Sequence, residues 1–318
     1  SWTLLNKYMA INLLIFIISL YAITKGSAMA TKYSVKLAEN FRISKFLVGF
    51  MIVAIISILP ETFVAINASL ENIPSFGLGT LFGSNVADLT LVFAVVVFLT
   101  GKKLKVEGKI LKNNIVYPFI LLLPLILGLN GHYSRLEGLT LIVAGGIFYY
   151  LALRNGTNHS AVVHNGHNGK SKNFLLLLFS MAILLVGSHF TVTSAVGIAN
   201  YFNINPVLIG MLVVGLGTTI PELLFSLKSV KKHDDSLAVG DILGTVLADA
   251  TIVVGILALI NPFSFPQKII YITGMFMVGA SFMLFKFLKT GRTLSKKEAC
   301  LLIIYWLLFV VVEFTVNR

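Results

Sequence analysis

Four carboxylates lie within apolar segments of this sequence, as two pairs with matched spacing. Glu61 and Asp88 form the first pair, and Glu222 and Asp249 form the second pair in the other half of the chain. The aspartate follows the glutamate at the same distance in both pairs. An ionised carboxylate at the centre of a bilayer costs about 2.5–3.5 kcal/mol, so four isolated ones would cost roughly 10 kcal/mol or more. We therefore expect these acids to share cations, protons or a water-filled cavity.

Small hydroxyl residues accompany the four acids. Ser57, Thr218 and Thr219 lie just before the glutamates, and Ser84 and Thr245 lie four residues before the aspartates. A spacing of four residues puts hydroxyl and carboxylate on one face of a helix. Carboxylate, hydroxyl and carbonyl oxygens suit a hard cation, and Ca²⁺ takes six to eight such ligands.

A proline precedes each glutamate. Pro60 and Pro221 lack an N–H group, so we predict that each interrupts its helix and frees carbonyl groups. Discontinuous helices at membrane depth are tolerated only where they are buried in protein or line a cavity. The alternative is that buried bases neutralise the acids, but Lys25 is the one clear candidate within a span and cannot neutralise four.

The charge of such a site predicts exchange transport. Four clustered carboxylates titrate as a coupled set. An empty site is anionic and hard to move across the bilayer, whereas one divalent ion, or several monovalent ions or protons, largely neutralises it. Either load then permits the conformational switch that the unloaded form resists, which is the physical basis of antiport.

The composition indicates a polytopic helical membrane protein. Hydrophobic residues make up 57% of the chain and charged residues 12%, against about 25% charged residues in soluble domains. The net charge of +12 lies mostly in loops, which indicates membrane orientation rather than nucleic-acid binding. We predict ten spans: 11–40, 45–69, 78–100, 113–129, 136–153, 174–201, 206–230, 237–259, 269–287 and 297–316.

The chain is a duplication. When the sequence is aligned with itself so that Glu61 meets Glu222, positions 26–92 match positions 187–253 without a gap, and Pro, Glu, Asp and Gly positions coincide. We therefore divide the chain into a first five-helix repeat (1–153), a cytoplasmic linker (154–172) and a second five-helix repeat (173–318). His159, His164 and His167 lie in the polar linker and are better explained by solvation than by metal binding.

Five spans per repeat is an odd number, so the two repeats enter the membrane from opposite sides. Inverted repeats are typical of secondary transporters with a site at the midplane. The loops after the even-numbered spans carry only Arg135 and Lys268. The loops after the odd-numbered spans carry Arg42, Lys102, Lys103, Lys105, Lys109, Lys112, Arg154, Lys170, Lys172, Lys231, Lys232, Lys289, Arg292 and Lys296. The basic side is cytoplasmic by the positive-inside rule, which places both termini outside.

Two segments of the second half resemble the signature motifs of a known family. Segment 217–223 is Gly-Thr-Thr-Ile-Pro-Glu-Leu and segment 244–249 is Gly-Thr-Val-Leu-Ala-Asp. They resemble the signatures Gly-Thr-Ser-Leu-Pro-Glu-Leu and Gly-Ser-Asn-Ile-x-Asp of the calcium/cation antiporter superfamily, which includes the sodium/calcium exchangers. Segments 57–61 and 83–88 are the first-half copies. The resemblance covers nearly the whole chain and implies an all-α membrane fold of ten helices in two inverted repeats.

The resemblance also implies a ligand set. The central Ca²⁺ site would use Glu61 and Glu222 with the carbonyls of Ser57 and Thr218, and Asp88 and Asp249 would take the middle position. One flanking Na⁺ site would combine Glu61, Ser84 and the carbonyl of Gly215. The other would combine Glu222, Thr219, Thr245 and the carbonyl of Ala54. The long first and sixth helices would slide to switch access.

Two positions depart from the sodium-coupled pattern. Ile58 replaces a hydroxyl residue, and Asp88 stands where several members have Asn. The family thus implies a Ca²⁺ exporter driven by Na⁺, with an H⁺/Ca²⁺ antiporter as the alternative, and the Pro-Glu pairs favour the sodium branch. A passive cation channel explains the broken helices less well.

The other expectations follow from this function. We expect no enzymatic activity and no cofactor beyond the transported Ca²⁺ and its Na⁺ or H⁺ counter-ion. Inorganic cations and the lipid bilayer are the expected partners, without nucleic acid or an obligatory protein. The expected location is the plasma (inner) membrane of a prokaryote.

Overall fold

The computed structural model describes residues 2–38, 45–105, 116–156, 170–291 and 293–317, which are nearly all helical. The helices are α1 (Trp2–Ala38), α2 (45–70), α3 (Pro74–Thr100), α4 (Val116–Leu127), α5 (Arg135–Gly156), α6 (Lys170–Phe202), α7 (Pro206–Lys231), α8 (Asp235–Ile260), α9 (269–291) and α10 (Lys296–Asn317). Nine of these are long and apolar enough to cross a membrane, and α4 is a shorter apolar helix. The predicted fold class, an all-α membrane protein of two inverted five-helix repeats, is confirmed.

Two short antiparallel strand pairs link the repeats. Strand β1 (Leu104–Lys105) pairs with β4 (Thr293–Leu294), and β2 (His132–Tyr133) pairs with β3 (Phe263–Ser264). In the alignment that matches Glu61 with Glu222, strand β2 of the first repeat corresponds to β4 of the second. Each strand pair therefore joins one repeat to the other, and the duplication extends beyond the segment that aligns without gaps in the sequence.

Four π-helical turns occupy matching places in the two repeats. In the first part of α2 and α7 they span Val48–Val53 and Gly210–Val214. In α3 and α8 they span Asp88–Val92 and Asp249–Val253, so that each begins at one of the predicted site aspartates. Single π-helical turns within α-helices occur often at functional sites, because the wider turn leaves backbone groups free and re-aims side chains.

Glycines bring the two repeats into backbone contact. A Cβ atom added at Gly49 in α2 would lie 2.2 Å from the carbonyl oxygen of Leu237 in α8. The related crossing of α3 and α7 would place a Cβ at Gly83 2.2 Å from the carbonyl oxygen of Met211. Small residues allow such close approach of membrane helices. The helices α2, α3, α7 and α8 therefore form one tightly packed interior.

The remaining helices surround this interior. Helices α1 and α6 pack along each other and against α2 and α7, whereas α5 packs on α8 and α10 packs on α3. Helices α3 and α8 are the most buried spans, and α1 and α10 expose most of their apolar side chains, as expected for a surface that faces lipid. The structure thus places any internal site among α2, α3, α7 and α8.

The prolines act differently in the two repeats. The α-helix of α2 is interrupted at Ile58 and resumes as Leu59–Leu70, with Pro60 in its first turn. The prediction of a second break is wrong, because Gly215–Lys231 is one α-helix that contains Pro221. Pro221 still cannot donate to the carbonyl of Gly217. The hydroxyls of Thr218 and Thr219 donate instead to the carbonyl of Gly215.

Other predicted boundaries shift by a few residues. Helix α1 begins nine residues before the predicted span, at Trp2. Helices α5 and α6 extend into the predicted linker, to Gly156 and from Lys170. The three linker histidines lie outside the described residues. Helix α4 is divided at Leu121, since Pro124 cannot donate to the carbonyl of Ile120.

Candidate functional site

The four predicted acids are all buried, each at most 1% exposed. Glu61 lies in the first turn of the Leu59–Leu70 helix, just after the interruption of α2. Glu222 lies next to Pro221 in α7. Asp88 and Asp249 each open a π-helical turn, in α3 and α8. Each of the four interior helices therefore contributes one predicted carboxylate.

The fold brings these acids together. Asp88 and Glu222 both interact electrostatically with Glu61, and Glu222 also interacts with Asp88. Asp249 interacts with Glu61 and Asp88. Carboxylates that are far apart in the sequence, including those of different repeats, thus share one low-dielectric region, as the matched spacing predicts.

Most oxygens of these acids have no hydrogen-bond partner among the described residues. This holds for both oxygens of Glu61, Glu222 and Asp249 and for Oδ1 of Asp88. Lys25, the one base that the alternative interpretation offered as a counter-charge, is exposed on α1 with its ammonium 5.3 Å from the ring centre of Tyr21. Buried polar groups in native proteins are almost always satisfied, so a cluster of free carboxylate oxygens indicates a place for cations, protons or water.

The hydroxyl groups of α7 reach from the second repeat towards acids of the first. Thr218 lies beside Glu61 and Thr219 lies beside Asp88. Each hydroxyl has one proton, and it is donated to the carbonyl of Gly215, at 3.0 Å from Thr218 and 2.8 Å from Thr219. Each hydroxyl is also within hydrogen-bonding reach of its neighbouring carboxylate, so it lies between a backbone carbonyl and an acid, and its oxygen is available to a cation.

The helices that carry the aspartates also contain the two other predicted hydroxyl ligands. Ser84 and Thr245 are fully buried. The Ser84 hydroxyl donates to the carbonyl of Leu81 at 3.0 Å, whereas Thr245 Oγ1 has no hydrogen-bond partner in the described part of the chain. A Cβ added at Gly215 would lie 3.0 Å from the backbone nitrogen of Ser84, which places two predicted ligands of one flanking site side by side.

In the first repeat, the residues just before Glu61 make different contacts from those just before Glu222. The Ser57 hydroxyl donates to Oδ1 of Asp241 at 2.9 Å rather than to the helix backbone. Ile58 is 8% exposed and packs in the main apolar core. The carbonyl of Ala54, a predicted ligand, accepts the N–H of Ile58 at 3.0 Å, and the Ser57 hydroxyl is directed away from it to Asp241. The two flanking sites are therefore not equivalent.

Asp241 was missed from the sequence. It lies in α8, is fully buried, and interacts electrostatically with Glu61. The signal was available: Asp241 precedes Thr245 by four residues and Asp249 by eight, so all three share one helix face. The related residue in the first repeat is Thr80, which is not acidic, so the matched spacing of acids does not identify Asp241.

The acids alone do not make a metal site. In residues 2–38, 45–105, 116–156, 170–291 and 293–317, no group of three or more His, Cys, Asp or Glu side chains has a geometry that could hold a metal ion. A cation bound here would therefore need hydroxyl, carbonyl or water oxygens beside the carboxylates, which is the mixed ligand set that the sequence predicts.

Two other conspicuous residues lie away from this cluster. His189 in α6 is 47% exposed and lies 3.7 Å from Glu71, measured from Nδ1 to Oε1, so it is outside the buried acids. Cys300 is exposed on α10. Neither contributes to the candidate site in this conformation.

Comparisons with known proteins agree with this architecture. The family model for sodium/calcium exchanger protein matches residues 11–154 and 172–315. The sodium/calcium exchanger MaX1 of Methanosarcina acetivorans is 22% identical, over 96% of this chain and 99% of its own length. The inner membrane protein YrbG of Escherichia coli is 28% identical, over 71% of this chain and 73% of its own.

A solved structure shares the fold. The sodium-calcium exchanger NCX_Mj, soaked with Na⁺ and Sr²⁺, superposes with a TM-score of 0.71 at 23% identity, over 95% of this chain and 98% of that one. Since the family model covers most of both repeats, the chain belongs to the sodium/calcium exchanger protein family.

Proposed function

We propose that this protein is a secondary active antiporter that exports Ca²⁺ in exchange for Na⁺ by alternating access. The observation that carries the proposal is the cluster of four buried carboxylates, one from each interior helix, most of whose oxygens lack hydrogen-bond partners among the described residues. The cluster is formed by both repeats, so a cation bound there would hold the two halves together.

The charge of the cluster explains the exchange. Glu61, Asp88, Glu222 and Asp249 would leave several negative charges in a low-dielectric region when no ion is bound, and such a site resists passage through the membrane. Ca²⁺ or a set of Na⁺ ions would remove most of this cost. Family membership and the relatives described as sodium/calcium exchangers support these two ions as the cargo.

The proposed ligands are the predicted set. Glu61, Glu222 and the carbonyls of Ser57 and Thr218 would hold Ca²⁺, with Asp88 and Asp249 at the middle position. Na⁺ would bind at Glu61, Ser84 and Gly215 on one side and at Glu222, Thr219, Thr245 and Ala54 on the other. The contacts between Thr218 and Glu61 and between Gly215 and Ser84 support this assignment.

An H⁺/Ca²⁺ antiporter is the second candidate, and Ile58 is the residue that favours it. Its apolar side chain is packed in the core where Thr219 of the other repeat offers a hydroxyl. One flanking site therefore lacks a Na⁺ ligand, and protons on the carboxylates would be a sufficient counter-load.

The deciding experiment is Ca²⁺ uptake into proteoliposomes. Vesicles loaded with Na⁺ and diluted into Na⁺-free medium should accumulate Ca²⁺, whereas vesicles with a pH gradient alone should not. Accumulation driven only by the pH gradient would select the H⁺ alternative. Ca²⁺ flux that needs no counter-ion would indicate a channel, and no flux in any condition would refute the proposal.

The proposed orientation follows from the loops. The connections after the odd-numbered helices would face the cytoplasm and both termini would face outward, in the plasma membrane of a prokaryote. The excess of lysine and arginine in those connections supports this placement. We propose no cofactor and no obligatory protein partner.

A further inference from the structure

Asp241 is a fifth carboxylate in the interior, outside the set of four matched acids. It lies where the backbones of α2 and α8 touch, since a Cβ added at Gly49 would be 2.9 Å from the Asp241 nitrogen. Its side chain is 0% exposed. It interacts electrostatically with Glu61, Asp88 and Glu222, so it faces the same region as the proposed Ca²⁺ ligands.

Only half of this carboxylate is satisfied. Oδ1 accepts the Ser57 hydroxyl at 2.9 Å, whereas Oδ2 is buried and has no hydrogen-bond partner among the described residues. Glu61, one helical turn after Ser57, is also fully buried with two unpartnered oxygens. A buried charge without a partner is strongly unfavourable. The arrangement therefore leaves several oxygens of two carboxylates and one hydroxyl available in one place.

The other repeat has no counterpart. Thr80 stands at the position related to Asp241, and its hydroxyl donates to the carbonyl of Phe76 at 2.9 Å. The residue related to Ser57 is Thr218, whose hydroxyl donates to the carbonyl of Gly215. Both groups are neutral and satisfied by their own helix backbone. The additional carboxylate, Asp241, thus lies only on the side of the site where Ile58 stands in place of a hydroxyl residue.

We propose that Asp241, Ser57 and Glu61 form an additional subsite for a small hard monovalent cation of the Na⁺ type. Ser57 donates its proton to Asp241 Oδ1 and so keeps its lone pairs for the ion, while Asp241 Oδ2 and Glu61 supply the anionic oxygens. The few oxygens of this subsite fall short of the six to eight that Ca²⁺ prefers, which favours a monovalent ion. The subsite compensates for the ligand that Ile58 cannot provide.

This inference rests on the proposed cation transport but has its own readout. The thermal stability of the purified full chain in detergent is measured against NaCl, with choline chloride at equal ionic strength, and separately against CaCl₂. A ligand that binds the folded state raises its stability with concentration. Wild-type protein should be stabilised by both ions. Asp241→Asn should shift the half-maximal Na⁺ concentration upward by about tenfold, as expected when a ligand charge is lost, and keep its response to Ca²⁺ within about threefold.

The variants separate binding from folding. Ser57→Ala should also shift the half-maximal Na⁺ concentration upward while Asp241 is retained, and Asp241→Thr copies the residue of the other repeat. Asp235→Asn, the same substitution in the first turn of the same helix, should respond like wild type. Unchanged Na⁺ responses in Asp241→Asn and Ser57→Ala would overturn the subsite. Absence of Ca²⁺ stabilisation and uptake in the wild type would instead overturn the proposed function and leave the Na⁺ measurement readable.

Discussion

The residues just before the two glutamates make the candidate site asymmetric. In the second repeat, Thr218 and Thr219 both donate to the carbonyl of Gly215. In the first repeat, Ser57 donates to Asp241 and Ile58 packs in the apolar core. The carbonyl of Ala54, the first-repeat residue related to Gly215, therefore accepts no hydrogen bond from the Ser57 or Ile58 side chains and receives the N–H of Ile58. Two ends with different ligands are expected to bind Na⁺ with different affinities.

Restoring a hydroxyl at position 58 should strengthen Na⁺ coupling. In Ile58→Ser the new oxygen would stand one turn after Ala54, as Thr219 stands one turn after Gly215. A good hydrogen bond or ligand contact contributes about 1 kcal/mol, so the Na⁺ concentration that half-saturates Ca²⁺ uptake should fall about fivefold. Ile55→Ser, on the exposed side of the same helix, is the control. An unchanged Na⁺ dependence in Ile58→Ser would contradict the flanking-site assignment.

Glu61 should be essential for Ca²⁺ binding, whereas Glu313, another buried glutamate, should not. Glu61→Gln removes a charge whose oxygens have no hydrogen-bond partner within the described ranges, so Ca²⁺ affinity measured by calorimetry should drop at least about tenfold, or about 1.4 kcal/mol. Glu313→Gln is the matched control, because Glu313 is buried in α10 but is bonded to Thr273 at 2.5 Å and Asn317 at 2.6 Å. Equal losses in both variants would show that the effect is structural.

The sequence predicts the acid cluster well and its surroundings less well. Glu61, Asp88, Glu222 and Asp249 could be identified because each has a matched partner in the other repeat. Asp241 could not be identified in this way, since its related residue is Thr80. The direction of the Ser57 hydroxyl was also beyond the sequence, because the nearest acceptor belongs to a helix that follows 184 residues later in the chain.

At the scale of the helices, the positions of breaks and π-helical turns depend on backbone geometry, which the amino-acid composition does not reveal. Pro60 lies after a break, whereas Pro221 lies inside a helix of 17 residues. The π-helical turns at Asp88 and Asp249 need one more residue per turn than an α-helix, and no residue type marks them. The spans themselves are predicted closely, because long apolar runs have only the helical solution in a bilayer.

The glycine crossing of α2 and α8 should limit stability. In Gly49→Ala the added methyl group would meet the carbonyl oxygen of Leu237 at 2.2 Å, so the helices must separate. Overpacking typically costs about 1–3 kcal/mol, and the melting temperature of the purified protein should fall. Gly146→Ala in α5 meets nothing within 4 Å and should leave the melting temperature unchanged or raise it. A Gly49→Ala protein as stable as wild type would argue against this crossing.

At the scale of the whole molecule, four tightly packed interior helices lie beside a peripheral helix pair. Helices α2, α3, α7 and α8 contact one another through glycines, whereas α1 and α6 pack mainly along each other. A polar contact joins the interior to the helix pair, because Asn67 in α2 donates to Ser188 in α6 at 2.7 Å. A second contact lies within the pair, because Thr191 in α6 donates to Ser19 in α1 at 2.9 Å. If access alternates by sliding of α1 and α6 together, the first contact must break in each cycle and the second must persist.

Crosslinking can test this motion directly. Cys300, the single native cysteine, is first replaced by serine. Cysteines at positions 67 and 188, joined by a disulfide or a short thiol crosslinker, should fix α6 to α2 and reduce Na⁺-driven Ca²⁺ uptake by at least about tenfold, with recovery on reduction, because thiol–disulfide exchange is reversible. Cysteines at positions 19 and 191 join two helices of the same moving pair and should leave uptake near wild type. Thiol counting verifies that each bond forms. Full transport with the 67–188 bond in place would exclude sliding between α2 and α6, and loss of transport with the 19–191 bond would show that α1 and α6 move separately.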